Sequence, residues 1–258
     1  MKKLLTIALA AGIAAFAGAA SAQSVKVGIA AEPYPPFASP SAGGEWEGWE
    51  VEIAMAICEA AELDCVITPV SWDGIIPALT SGRIDTIMAS MSITAERMET
   101  IDFSDKYYNT PTAIAGPKGT EMDATPEGLE GKILGVQVST VHENYANKHF
   151  KDTAAEIKVY QTQDEANQDL AAGRIDATQA DSIALDAFLE SDQGQACCEI
   201  KGTVAPDEDI LGPGVGAGLR KGDDELKEKI NAGIAAIRES GKYEEISAKY
   251  FDFDIYGD

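Results

Sequence analysis

The tetrapeptide Gly-Arg-Ile-Asp occurs twice in this chain, at 82–85 and again ninety-one residues later at 173–176. Each copy has a leucine upstream (Leu79, Leu170) and leads into a short strand-like run. Those runs end in Ser90 and Asp181, each five residues beyond its aspartate. The repetition predicts two similar α/β units that present a hydroxyl and a carboxylate at corresponding strand ends. Ligands of open α/β sheets sit outside the carboxyl ends of the strands. Two lobes facing one polar ligand are therefore expected, and binding is indicated before any catalytic group has been found.

Periodicity fills in the two units. Val25 to Ala30 alternates as a strand, and the proline-fixed loop Glu32-Pro33-Tyr34-Pro35-Pro36-Phe37 follows it. Val51, Ala54, Met55, Cys58 and Ala61 recur at helical spacing, which predicts a helix over 50–61. Strand 65–70, helix 74–81 and strand 84–89 complete the first unit. In the second, Thr125 is expected to cap a short helix. Strand 133–138, helix 142–150, strand 156–160, helix 164–172, strand 175–179 and helix 182–190 come next. Glycines 212, 214, 216 and 218 repeat every second residue, which suits a strand pressed close to backbone on one face. Helices near 224–240 and 242–250, broken at Gly241, end the chain. Crossings near Asn109 to Thr112 and Val204 to Asp209 would put both chain ends in one lobe. The expected division is 23–109 with 207–258 in lobe one and 110–206 in lobe two, joined by a two-segment hinge.

Residues 1–22 read as a cleaved signal peptide: Lys2 and Lys3, an apolar stretch from Leu4 to Ala17, then Ala20-Ser21-Ala22. The apolar stretch is shorter than the ~20 residues a membrane span needs. No cysteine follows the cleavage site, so no lipid anchor is expected. Export to the periplasm of a Gram-negative bacterium follows, with about 236 residues left for one large domain or two lobes. Losing the two signal lysines takes the formal charge from −23 to −25. Such an acidic chain repels nucleic acid and anionic lipid. In an exported protein the four cysteines read as disulfides. A Cys58–Cys65 bridge would close a short loop between helix and strand. Cys197 and Cys198 are adjacent, where a vicinal bridge would be strained, and their pairing stays open.

Other chemistries lack their residues. His142 and His149 form no His-Glu-x-x-His pattern, and no cysteine spacing matches a zinc pair. Asp207-x-Asp209 starts like a calcium loop, but Leu211 and Gly218 occupy ligand positions. The glycine series lacks the Lys-Ser/Thr of a phosphate loop, and there is no Gly-x-Ser-x-Gly elbow. No metal and no cofactor are expected.

Several stretches together carry a resemblance: Pro33-Tyr34-Pro35-Pro36-Phe37, Gly48-Trp49-Glu50-Val51-Glu52, Ser92-Ile93-Thr94-Ala95-Glu96-Arg97, Phe103-Ser104-Asp105-Lys106 and the terminal Lys249 to Gly257. In these the chain resembles the polar amino-acid-binding proteins of bacterial ABC importers, especially the lysine/arginine/ornithine- and histidine-binding group. The likeness runs from about residue 25 to the end, and the Cys58/Cys65 spacing agrees with that group. It implies the two-lobe periplasmic binding fold (type II), a monomeric receptor, and delivery of an amino acid to an inner-membrane permease and ATPase. Arg97, Ser90, Ser92 and Thr140 match the positions that receive the carboxylate, and Asp181 the one that receives the ammonium. The chemistry agrees, because a guanidinium offers a planar fork to a carboxylate and burying either ligand charge unpartnered is costly. Tyr34 and Trp72 match aromatic walls that would attract a cationic side chain.

The chain departs from the group at four places. Glu32 stands two residues before Tyr34 rather than three, and is assigned to the far end of a basic side chain. Ala89 replaces a serine, Val141-His142 replaces a hydroxyl residue and glutamine, and Gln137 replaces an apolar residue. His142 and Gln137 join the expected site as polar contacts. The expected ligand is arginine, lysine, ornithine or histidine. The alternatives are an opine or other amino-acid derivative, or an enzyme on the same fold acting on arogenate or prephenate. That enzyme would need a general acid, for which Glu32 and His142 are the candidates.

Overall fold

The two Gly-Arg-Ile-Asp segments do the same structural work in two lobes. The computed structural model describes residues 24–257, so the expected signal peptide lies outside the described residues. In the first lobe come β1 (Val25–Ala30), the ribbon β2 (Ser39–Pro40) and β3 (Trp46–Glu47), α1 (Trp49–Ala60), β4 (Cys65–Val70), α2 (Ile75–Thr80) and β5 (Thr86–Ile87). They are followed by α3 (Ala95–Met98) and β6 (Asp102–Tyr108). The second lobe begins at β7 (Thr112–Pro117) and continues with β8 (Ile133–Gln137), α4 (Val141–His149), β9 (Glu156–Tyr160), α5 (Gln163–Ala171) and β10 (Ala177–Asp181). It closes with α6 (Ser182–Glu190), α7 (Asp192–Cys197) and β11 (Cys198–Thr203). After α8 (Glu208–Leu211) the chain returns to the first sheet as β12 (Val215–Leu219), then forms α9 (Asp224–Glu239) and α10 (Lys242–Ser247).

Two five-stranded mixed sheets result, ordered β4-β1-β5-β12-β6 and β11-β7-β10-β8-β9. In each, three parallel strands are linked by two helices, and antiparallel strands complete the sheet. The repeated segment joins the second helix to the third strand. Gly82 and Gly173 take φ of +75° and +67°, a left-handed turn that ends α2 and α5 without a Cβ penalty. Ile84 and Ile175 are buried behind it. Asp85 then accepts from the Lys26 N–H at 2.9 Å, and Asp176 from the Ile133 N–H at 2.8 Å. Each aspartate therefore satisfies a donor where its sheet's first parallel strand begins. A charge-assisted bond of this kind contributes roughly 1.5–3 kcal/mol.

Both pairs of cysteines are bridged, Cys58 to Cys65 and Cys197 to Cys198. The first ties α1 to β4. Behind it the core gathers around Trp49, whose ring meets Phe37, Tyr107, Tyr108 and Tyr243 and whose Nε1 donates to Ser247 Oγ at 3.0 Å.

Several expectations shift. The stripe of α1 runs through Ile53, Ala54, Ile57 and Cys58, while Met55 is exposed. The strand over 84–89 contracts to β5, because Ser90 takes a left-handed φ of 53° and ends the pairing early. No helix follows Thr125; its hydroxyl accepts from the Gly128 N–H in a turn. Strands β6, β7 and β11 and helix α7 were not anticipated. The second crossing stays with the second lobe further than expected. Ile210 and Leu211 pack on that lobe's core, the Tyr145 hydroxyl donates to the Ala205 carbonyl at 2.9 Å, and Asp207 pairs with Lys148 and His149.

Candidate functional site

Between the sheets lie two adjoining cavities. The narrower, about 50 Å³, is lined by Glu32, Trp72, Arg97, Gln137 and Thr140. The roomier, about 460 Å³, reaches toward the crossings and is lined by Asp181, Thr110, Thr112, Asp207 and Glu208. Tyr34, Ser90, Ser92, Val141 and His142 line both. All ten residues singled out from the sequence are thus brought together at one cleft.

The first lobe supplies the guanidinium and the aromatic wall. Thr94 caps α3 by accepting from the Arg97 N–H, which fixes the base of that side chain. The Arg97 guanidinium donates from Nη1 to the Ser92 carbonyl at 2.9 Å and lies 5.6 Å from the centre of the Trp72 ring. Burial lowers its pKa to about 10, so it remains charged at neutral pH. The Glu32 carboxylate accepts from the Trp72 N–H at 3.1 Å, which aligns the proline loop with the aromatic wall.

The second lobe contributes helix starts. Thr140 caps α4: its hydroxyl accepts from the Glu143 N–H at 3.1 Å and donates to the Gln137 carbonyl at 2.7 Å. The positive end of the α4 dipole therefore opens on the cleft, a setting that favours an anion. Asp181 caps α6, with Oδ1 accepting from the Ile183 N–H at 2.8 Å and Oδ2 from the Thr110 hydroxyl. Burial nevertheless pushes its carboxyl up to about 6, against the pull of those donors. His142 pairs through Nδ1 with Thr112 Oγ1 at 3.2 Å. Burial, aided by the Arg97 charge, holds its pKa down to about 3, so the ring is neutral at pH 7. The ring therefore offers the cleft one N–H or one lone pair at each nitrogen rather than a positive charge. Gln137 Nε2 donates to the Gln161 carbonyl at 3.2 Å.

The lobes meet directly. Trp72 Nε1 donates to the Val138 carbonyl at 2.9 Å, Arg97 Nη2 to the Ser139 carbonyl at 3.2 Å, and Asn144 Nδ2 to the Glu96 carboxylate at 2.9 Å.

Other polar cleft residues were missed, among them Thr110, Thr112, Asp207, Glu208, Gln163 and Glu50. Gln163 sits inside the capping box of Thr162 and Glu165, and its Nε2 donates to Asn167 Oδ1 and Thr178 Oγ1. Glu50 is 1% exposed in the first turn of α1. Its signal was present in the sequence: it lies three, four and seven residues before Ile53, Ala54 and Ile57, a lone carboxylate on an apolar stripe. Buried charges of that kind are seldom without a partner.

Comparison with known proteins agrees with this geometry. An arginine-binding protein of Pseudomonas aeruginosa is 41% identical over 259 residues, covering 100% of this chain and 99% of the relative. A histidine-binding periplasmic protein of Escherichia coli K12 is 38% identical over 262 residues, with both chains covered in full at 100%. Among solved structures, an ancestral arginine-binding protein bound to arginine superposes with a TM-score of 0.81 at 34% identity, covering 88% of this chain and 98% of that one. These relatives are binding proteins rather than enzymes. The two-lobe α/β architecture is theirs as well. The description "Bacterial extracellular solute-binding proteins, family 3" matches residues 25–253, and the chain belongs to that family.

Proposed function

We propose that this protein is a periplasmic receptor that captures a basic amino acid between its lobes and delivers it to an ABC permease and its ATPase. The observation that carries the reading is the charge inventory of the cleft. In the two linings one guanidinium, Arg97, is set against the carboxylates of Glu32, Asp181 and Glu208, while Glu50 is held by Ser90 and Tyr107 and Asp207 is paired with Lys148 and His149. A basic amino acid brings one carboxylate and two cations, the complement of such a lining. Its carboxylate would meet Arg97 and the start of α4, with Ser92 and Thr140 beside it. Its ammonium would meet Asp181, and its side chain would run between Tyr34 and Trp72 toward Glu32, flanked by Gln137 and His142. Lobe one is assigned 24–109 and 212–257, and lobe two 110–211, because Asp207, Ile210 and Leu211 are held by the second lobe.

The acidic lining speaks against the alternatives. Glutamate would bring a second carboxylate with no second guanidinium in either cavity lining to receive it. An opine would place a further carboxylate on the α-nitrogen, beside Asp181 and Glu208. Micromolar affinity corresponds to about 8 kcal/mol, within reach of several charge-assisted bonds and two aromatic walls. Contacts to both lobes would draw the protein to its closed form, the form expected to dock on the permease. Calorimetric titration of ligand-stripped protein tests this. Arginine, lysine, ornithine or histidine is expected to bind tightly; tight binding of glutamate or leucine with none of these would refute it.

A further inference from the structure

Glu50 lies at the back of the narrower cavity, 1% exposed, and its contacts decide what Ser90 offers a ligand. Its Oε1 accepts from the Ser90 N–H at 2.7 Å and from the Tyr107 hydroxyl, and its Oε2 accepts from Ser90 Oγ at 3.0 Å. A serine hydroxyl has one proton and two lone pairs. With the proton directed at Glu50, Ser90 turns lone pairs rather than a proton to the two cavities it lines, with the Tyr108 hydroxyl beside it. The backbone cooperates: φ of 53° at Ser90 turns both its N–H and its hydroxyl toward the one carboxylate. Burial raises the Glu50 carboxyl, while the donors from Tyr107 and Ser90 oppose that rise and favour the anion.

We infer that Glu50 is a positioning residue that makes Ser90 an acceptor for the ligand's ammonium, so that Ser90 works with Asp181 and not with Arg97. The inference rests on the proposed amino-acid site and reassigns Ser90, expected from the family likeness to receive the carboxylate. A carboxylate turned toward Ser90 would meet lone pairs, whereas an ammonium finds acceptors there and on Asp181. Glu50 thereby sets the direction in which an amino acid lies: ammonium toward Ser90 and Asp181, carboxylate toward Arg97 and the start of α4. The buried Tyr107–Glu50 contact keeps this arrangement from rotating away.

A double-mutant cycle read by arginine titration tests it, with thermal melts to verify folding. Glu50→Gln leaves a hydrogen-bonding isostere whose amide donates to Ser90 Oγ and frees the hydroxyl proton toward the ligand; Ser90→Ala removes the acceptor. Each variant is expected to weaken arginine about tenfold, as for loss of one bond to a charged group. The double variant should lose no more than the larger single loss, because Glu50 acts through Ser90. 5-Guanidinopentanoate, which is arginine without its α-ammonium, should be affected far less by either change. Additive losses in the double variant, equal losses for the two ligands, or unchanged arginine affinity in the single variants would each overturn the inference. If Glu50→Gln does not fold, Ser90→Ala with the two ligands decides alone. Wild-type protein that binds no amino acid would instead overturn the proposed function, and this inference with it.

Discussion

Arg97 and Ser139 meet across the cleft, the guanidinium Nη2 donating to the Ser139 carbonyl at 3.2 Å while Nη1 holds the Ser92 carbonyl of its own lobe at 2.9 Å. One cation thus touches both lobes at the place proposed for the ligand carboxylate. Arg97→Ala should cost about 3 kcal/mol or more of binding, since a buried carboxylate would lose its charged partner. The fold should survive, because α3 keeps its Thr94 cap. Calorimetry on a variant with a normal circular dichroism spectrum checks it, and undiminished affinity would remove Arg97 from the site.

Asp181 sets binding against stability. Its carboxyl, raised by burial from an ordinary 3.8 to about 6, favours the ligand-free fold below 3.8, and that contribution is lost as pH climbs through about 6. At pH 8 the ionised group should cost about 2 kcal/mol, discounted for its partial exposure. Asp181→Asn, which still caps α6, is expected to raise the melting temperature of ligand-free protein at pH 8 and change it little at pH 4. The same variant should bind arginine weakly at every pH, while wild-type affinity should fall as pH drops below about 6. A variant that melts below wild type at pH 8 would contradict this account.

His142 acts in the opposite direction. Its pKa is depressed from 6.5 to about 3, so the folded protein refuses a proton that the unfolded chain accepts. The stability this supplies is fully present above pH 6.5 and drains away as pH falls toward 3. His142→Gln should flatten that decline. Urea unfolding of both proteins at pH 7.5 and pH 5 measures it; parallel losses would show that the histidine is not responsible.

The bridge between Cys58 and Cys65 closes a short loop, with a sequence separation of 7, at the far end of α1 from Glu50. Replacing both cysteines with serine should remove about 2.5 kcal/mol of stability on the chain-entropy estimate. Ligand preference should not change. A shift in preference, measured across the same amino-acid panel, would tie the bridge to the cleft.

What could be read from sequence depended on whether a signal was local. Helix α6 is found where expected, over 182–190, because Asp181 caps it and its apolar spacing is regular. Strand β7 has five consecutive buried residues and no alternation to betray it. Strand β6 contains Asp102, Asp105 and Lys106, which an edge position tolerates and a sequence reading takes for a loop. Seven of the ten residues placed at the cleft could be singled out because family likeness ties them to motifs, whereas Glu32, Gln137 and His142 were picked as polar departures from it. Glu50 was passed over since its partners, Ser90 and Tyr107, lie 40 and 57 residues away and only the folded chain unites them.

The anchoring of the second crossing locates the fulcrum of the molecule. Tyr145, Lys148 and His149 rivet 205–207 to the second lobe, and α8 packs on the same side. If one lobe turns against the other, Gly212-Pro213-Gly214 is the stretch of this strand left to absorb it, where φ of +75° and +140° is open to glycine. Gly214 accepts from the Ile93 N–H at 2.8 Å, and a Cβ on Gly212 would stand 1.9 Å from the Ile93 carbonyl oxygen. Ile93 adjoins Ser92, so fulcrum and load are neighbours. A lever built this way would have a short input arm and a long output arm, so that a slight displacement at Ser92 would be expected to appear as a wide sweep at the distant rim of the second lobe.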